Sequence, residues 1–445
     1  MRKSLALSLS LLALLAACKT VDFTPPPLTP PTPASPAPDL KTLDSAWAAE
    51  WMDLSTKLVQ MTGASPPVAS RVYAYSAVAL NESLASVDKE MKTLQGRVNG
   101  LNNLPKPAGG QALDGRWVAH AALKTFVPTL FHVTLSDEQT AEITALEQQF
   151  DKQLSVPQAV KDVSLAYGRQ VGQALIAWCQ QDQFKQLRAQ TYALPDAAGH
   201  PDYWVPTVTG AKPLEPNWGK LRTFAIADGT TCHKAPSVGF STAAESDFYG
   251  QAKEVLDTTK NLSEEQTTIA RWWADNPGQT TTPPGHWIRI AGQQVRERKL
   301  DIRTSTRLYA LLGIAMADSF VSCWASKYQV NLLRPMTYIR NVIGEKDWIP
   351  LLATPMFPEY PSGHSVSSGA AAEIFTSVLG EHVGFTDTTH VHRGMEARRF
   401  ADFRTAAQEA AVSRLYGGIH FRDAIENGLS QGQCISSQVL GKLGG

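Results

Sequence analysis

The sequence predicts an all-α protein made of two related helical bundles with long irregular connections, and three observations carry that expectation. Helical patterns of apolar residues run through most of the chain after the first forty positions. One stretch, Ala193 to Ser241, is rich in Pro, Gly and aromatic residues and reads as an irregular excursion. The segment Arg71-Val-Tyr73-Ala74-Tyr-Ser-Ala-Val78-Ala79-Leu80-Asn-Glu82-Ser83-Leu84 is echoed at one constant offset by Arg307-Leu-Tyr309-Ala310-Leu-Leu-Gly-Ile314-Ala315-Met316-Ala-Asp318-Ser319-Phe320. An internal echo of this kind points to a repeated structural unit. A weaker echo pairs Tyr167-Gly168 with Tyr416-Gly417.

The elements follow in order. Residues 1–18 read as a secretory leader: Arg2-Lys3, the apolar run Leu5 to Leu14, then the box Leu15-Ala16-Ala17-Cys18 of a lipoprotein cleavage site. Cys18 is the expected lipidation site. Residues 19–40 contain eight prolines between Pro25 and Pro38 and form a stiff, extended tether. Residues 41–190 make the N-terminal helical half, with helices expected over Leu43–Thr62, Pro67–Glu90, Asp114–Leu130, Ser136–Leu154 and Gln158–Gln183. Residues 191–245 are the irregular connection. Residues 246–445 make the C-terminal half, with helices over Ser246–Thr259, Ser263–Ala274, Pro284–Lys299, Thr304–Leu333, Val366–Leu379, Arg399–Tyr416 and Asp423–Lys442.

Composition bounds the function. The 41 basic and 41 acidic residues balance, which removes any electrostatic case for nucleic acid. Beyond the leader no uninterrupted apolar run reaches the roughly 20 residues of a membrane span, and even Leu308 to Trp324 is broken by Asp318 and Ser319. The catalytic unit is therefore expected to be soluble, with a lipid anchor as its only membrane contact. Cys179, Cys232, Cys323 and Cys434 allow three pairings into two disulfides in an oxidising compartment, or stay as free buried thiols.

Chemistry concentrates in three segments of the C-terminal half. In Lys327-Tyr-Gln-Val-Asn-Leu-Leu-Arg334-Pro335, seven residues make nearly two helical turns, so the two cations are expected on one stripe, roughly 10 Å apart along the axis. Pro335 is expected to end that helix and leave Arg334 at its tip. In Tyr360-Pro361-Ser362-Gly363-His364-Ser365, Ser362 suits an N-cap and Gly363 lets backbone approach a ligand. The helix start that follows favours an anion, with His364 beside it as an acid/base. In Ser413-Arg414-Leu-Tyr-Gly417-Gly418-Ile-His420-Phe-Arg422-Asp423, the glycine pair breaks a helix, Arg414 closes it and His420 opens the next. Asp423, three residues after His420, is expected to hold that imidazole in one tautomer. The N-terminal half carries none of these sets.

The order, internal spacings and glycines of the three segments resemble the signature shared by type 2 phosphatidic acid phosphatases, bacterial non-specific acid phosphatases and vanadium-dependent haloperoxidases. The resemblance extends over Leu43 to Gly441 and is strong beyond Trp272. It implies that Lys327, Arg334 and Arg414 neutralise the oxygens of a phosphate or vanadate, helped by the Ser362 hydroxyl and the Gly363 N–H. It also implies that His364 is the acid/base and Asp423 the orienter of His420. His420 itself is then the nucleophile of a phosphatase or the axial ligand of vanadium.

The wider context resembles bacterial members of the haloperoxidase branch: Phe357-Pro-Glu-Tyr360 before Pro361, and Trp273-Ala-Asp-Asn-Pro277-Gly278 before Pro283-Pro-Gly-His286-Trp287. That branch implies a vanadate cofactor, with halide and hydrogen peroxide as substrates. The alternative is a soluble phosphatase that hydrolyses phosphate monoesters through a phosphohistidine and needs no cofactor. A surface lipoprotein that keeps the bundle only for binding is disfavoured by the complete catalytic set. Lys19 after the lipidated Cys18 favours the periplasmic face of the outer membrane or the cell surface, by resemblance only. Trp272, Trp273 and Trp287 are read as core or pocket wall, His390-Val-His392 as a plain loop, and Ser365, Ser367 and Ser368 as helix surface.

Overall fold

The computed structural model describes residues 45–131 and 133–444, so the leader, Cys18 and the Pro-rich tether lie outside the described residues. Fourteen helices follow in chain order among them. In the N-terminal half these are α1 (Ala46–Thr62), α2 (Pro66–Ala85), α3 (Gly115–Phe126), α4 (Asp137–Gln153), α5 (Gln158–Cys179) and α6 (Phe184–Ala189). The C-terminal half holds α7 (Asp247–Lys260), α8 (Glu264–Trp272), α9 (Thr282–Glu297), α10 (Ile302–Val330), α11 (Pro335–Tyr338), α12 (Gly363–Leu379), α13 (Phe403–Tyr416) and α14 (Arg422–Leu443). The described residues all belong to one compact unit.

Local chemistry sets many of the boundaries. Ser136 and Ser263 each form a capping box with the Gln three residues on, which starts α4 and α8. Asp301 caps α10 through the N–H groups of Arg303 and Thr304. One departure from the all-helical pattern is an antiparallel ribbon, β1 (Phe385–Asp387) on β2 (Arg398–Phe400). The helix expected to start at Arg399 therefore begins at Phe403, where Asp402 accepts from Thr405 N.

The two echo segments lie on α2 and α10, which pack against each other at the centre of the molecule. A Cβ on Gly313 would come within 3.0 Å of Ala74 Cα and 3.2 Å of Ala77 Cβ, so small residues let the helices touch backbone to backbone. Ala77 is the residue that corresponds to Gly313 in the echo. The helix α10 is long and apolar enough to cross a membrane by length and composition, but 94% of that stretch is buried inside the protein. It is the core helix, wrapped by α2, α12 and α14.

The connection over 191–245 has little regular structure but is firmly pinned. Asp318 of α10, fully buried, accepts the N–H groups of Phe224, Ala225 and Ile226 at 2.7–3.0 Å. Burial outweighs those bonds and raises its carboxyl to about 6. A disulfide joins Cys232 of this connection to Cys434 of α14, whereas Cys179 and Cys323 are buried free thiols. The cysteines thus form one bridge, not two. Ser365, Ser367 and Ser368 are buried rather than surface, because α12 is covered by α10, α13 and α14 together.

Candidate active site

Chain geometry around the first cationic segment differs from the expected stripe. The helix α10 stops at Val330, and Asn331 takes the left-handed conformation (φ 52°) that ends helices. Arg334 is extended, and Pro335 begins α11 instead of ending a helix, since its fixed φ and missing N–H suit the first helical turn. Arg334 therefore turns back into the molecule from a separate segment. Its Nε donates to Phe357 O at 3.0 Å and its Nη1 to Ile419 O at 2.9 Å, with His420 Nε2 3.2 Å from Nη1. Lys327 Nζ donates to the carbonyls of Pro358, Glu359 and Pro361. The Phe357 ring lies close to both cations, 5.1 Å from Lys327 Nζ and 4.8 Å from Arg334 Cζ.

Ser362 caps α12, its hydroxyl accepting from Ser365 N at 3.3 Å, while Ser362 N is tied to Ala424 O. This fixes the N-terminus of α12 against the start of α14, with Gly363 at the first helical position. Arg414 sits in the last turn of α13 and donates Nη1 to Trp273 O at 2.8 Å. Beyond it, Gly418 (φ 76°) turns the chain where a Cβ would meet Pro350 Cβ at 2.9 Å, and His420 follows just before α14.

The partner of His420 is Glu359, not Asp423. His420 Nδ1 lies 2.8 Å from Glu359 Oε1, which also accepts Phe421 N at 2.9 Å. The Asp423 carboxylate instead accepts from Ser237 N and Asn427 Nδ2. The expected i to i+3 contact fails because His420 precedes the N-cap of α14, Phe421, and is not on the helix. Glu359 was legible only as a carboxylate in the apolar, proline-flanked run Phe357-Pro-Glu-Tyr-Pro361, which must be buried and so must find a donor. His390, read as loop, is also buried, 3.1 Å from Asp275 Oδ1, whereas His392 is exposed. Trp272, Trp273 and Trp287 are core residues with almost no exposure.

The site's electrostatics are those of cations forced together away from water. Burial draws the Lys327 ammonium down to about 7, with Arg334 adding repulsion against the pull of Cys323 and Glu359. Burial lowers Arg334 to about 10 and Arg414 to about 9. His420 and His364 are both pushed well below the ordinary imidazole value, first by burial and then by the neighbouring guanidinium groups. Glu359 rises to about 7, since its burial outweighs the attraction of Arg334 and Lys327. Arg334 Nη2, Arg414 Nε and His364 Nε2 are buried without a hydrogen-bond partner among the described residues. Buried donors of this kind call for an anion.

Four matches to known proteins bear on this arrangement. A solved structure described as the first bacterial vanadium-dependent iodoperoxidase is 34% identical and superposes with a TM-score of 0.84, covering 92% of this chain and 98% of that one. The chain belongs to the vanadium-dependent haloperoxidase family. A bacterial vanadium-dependent chloroperoxidase of holo type shares the haloperoxidase fold at 15% identity, with a TM-score of 0.65 over 93% of this chain and 95% of that one. A family profile described as the VCPO second helical-bundle domain matches residues 307–444, which carry all three cationic segments. The vanadium chloroperoxidase of Curvularia inaequalis is 27% identical over 155 residues, or 29% of this chain. That match spans a quarter of the curated relative's length.

Vanadate, the cofactor that the family implies, fits these residues. The unpaired donors of Arg334 and Arg414 would suit its oxygens. His420 Nε2, 3.2 Å from Arg334 Nη1, belongs to an imidazole whose Nδ1 is taken by Glu359.

Proposed function

We propose that this protein is a vanadate-dependent haloperoxidase that oxidises halide with hydrogen peroxide, with iodide as the halide to which the 34% identical relative points. The observation that carries the reading is the buried cationic cup of Lys327, Arg334 and Arg414 around His420, with donors left over in two of the three. Bound vanadate supplies a Lewis-acidic centre that polarises peroxide. Arg334, Arg414 and the Lys327 ammonium balance the charge of its oxygens, with the Ser362 hydroxyl and the Gly363 N–H as further donors. Glu359 holds the Nδ1–H tautomer of His420, so that the Nε2 lone pair would be the one to hold vanadate. His364 keeps partial solvent contact at the rim while its Nε2 points into protein, a placement that lets it pass a proton between solvent and the site.

A paired assay tests this. Protein loaded with orthovanadate should oxidise iodide with peroxide, and His420→Ala should abolish it. Vanadate that does nothing except inhibit hydrolysis of a chromogenic phosphate ester would favour a phosphatase.

The leader and tether support an exported lipoprotein anchored through Cys18, and the Cys232–Cys434 disulfide fits an oxidising compartment. Mass spectrometry of the mature N-terminus tests this, with a diacylglyceryl-modified Cys18 as the expected result. A Ser or Ala at the start of the mature chain would contradict it.

A further inference from the structure

Beneath Arg414 and His364 lies a second buried cluster that the oxyanion cup does not use. We propose that His286, clasped between Asp275 and Asp387, is a positioning residue that locks the Trp273 carbonyl under Arg414 and so shapes one wall of the oxyanion cup. The inference rests on the vanadate reading above.

The geometry is closed on every side. His286 Nδ1 lies 2.9 Å from Asp275 Oδ2, and its Nε2 lies 2.7 Å from Asp387 Oδ2; all three side chains are fully buried. With a carboxylate on each nitrogen, the imidazole is held doubly protonated. The two carboxylates outweigh burial and raise it to about 10, while Asp275 and Asp387 are held low in return. Asp387 Oδ2 also accepts Trp272 Nε1 at 3.0 Å, and His390 Nε2 lies 3.1 Å from the other oxygen of Asp275.

The turn from Trp272 to Asp275 is thus gripped at both ends. Between those grips the Trp273 ring stacks on His286, with centroids 4.4 Å apart, and donates Nε1 to Glu409. The carbonyl of Trp273 is what emerges on the cup side. It accepts Arg414 Nη1 at 2.8 Å.

Backbone strain points the same way. Asp275 has φ 47° and Thr282, at the start of the helix that carries His286, has φ 66°. A β-branched residue adopts that conformation only where its surroundings force it. Asp275 serves both sides of the arrangement, since its charge also favours the cationic form of Arg414.

The test uses the mature protein with His286→Gln and Asp387→Asn, singly and together. A Gln amide can donate to one carboxylate but not clasp both. Each single variant should weaken orthovanadate binding, measured by calorimetric titration, about 10-fold or more, the range seen when groups that orient a metal site's ligands are removed. The turnover number should fall while KM for peroxide and halide stays within about 2-fold, because the substrates touch neither residue. The double variant should be no weaker than the worse single, as both break one pin. A residue that merely supports the fold would lower Tm and leave vanadate affinity intact. If His286→Gln does not fold, Asp387→Asn carries the test, since it keeps the side chain's shape while removing the charge that faces His286 Nε2. Wild-type affinity in a folded variant overturns the proposal, as does a stoichiometric divalent cation in the purified protein, which would make the cluster a metal site. Wild-type protein that binds no vanadate at all would instead defeat the functional reading on which the inference rests.

Discussion

Glu359 Oε1 lies 2.8 Å from Nδ1 of His420, and the same oxygen accepts the N–H of Phe421. One carboxylate therefore fixes both the ring of His420 and the backbone beside it, the place from which Nε2 would hold vanadate. Replacing Glu359 with Gln keeps the shape, removes the charge and lets an amide N–H face the ring. Vanadate affinity should fall about 10- to 100-fold, as for other residues that orient a metal-bound His. Asp423→Asn should leave it within about 2-fold, because its carboxylate serves Ser237 and Asn427. Equilibrium dialysis against orthovanadate checks both, and the opposite ranking would return the orienting role to Asp423.

The contrast between these two acids shows what could be read from the chain. Lys327, Arg334, Ser362, Gly363, His364, Arg414 and His420 stand in short local motifs, and the resemblance those motifs carry led to the expectation that they share one site. The acid that steadies His420 was not legible, because its partner lies sixty-one positions away and no local offset encodes that pairing. Helical spacing selected Asp423 on the premise that His420 belonged to the helix, and the turn at Gly417-Gly418 places it just outside. Most helices were legible from apolar periodicity and caps. The ribbon of Phe385–Asp387 and Arg398–Phe400 was not, since three-residue strands leave no periodic signal. The cluster of Asp275, His286, Asp387 and His390 likewise depends on tertiary pairing alone.

Proton linkage at Lys327 gives a second expectation. Its folded value, about 7, lies below the ordinary lysine value of 10.5, so between those limits the unfolded chain holds more protons than the native one. Stability from this group therefore rises with pH across that window. Denaturant melts of anion-free wild type and Lys327→Met should show the wild type gaining on the variant from pH 7 to 10.5. Saturating vanadate should flatten the difference, since an anion compensates the charge. A wild type that instead loses ground to the variant over that range would contradict the reading.

Anion binding should also stabilise the fold as a whole. Three cations buried together are relieved when an oxyanion enters, and a ligand at about 100 times its Kd adds about 2.7 kcal/mol. Thermal melts should move upward with orthovanadate in the wild type and stay put in the Arg334→Ala/Arg414→Ala double variant. An equal upward shift in that variant would place the binding elsewhere.

The Cys232–Cys434 bridge closes a long loop, 202 residues in sequence separation, between the irregular connection and the last helix. Its removal by Cys232→Ser with Cys434→Ser should cost about 2–5 kcal/mol of unfolding free energy. Because Tyr360 donates to the carbonyls of Lys234 and Ala235 just beyond Cys232, the loss should also loosen the approach to the oxyanion cup. Chemical denaturation with and without reductant measures the cost, and an unchanged midpoint would contradict it.

The most direct measurement is a crystal structure of the protein loaded with orthovanadate, with vanadium located by its anomalous signal. One vanadium is expected, bonded to Nε2 of His420, with its oxygens facing Arg334, Arg414 and the N-terminus of the helix that starts at Gly363. Vanadium bound at any other residue, with the His420 ring still directed at Arg334 alone, would contradict it.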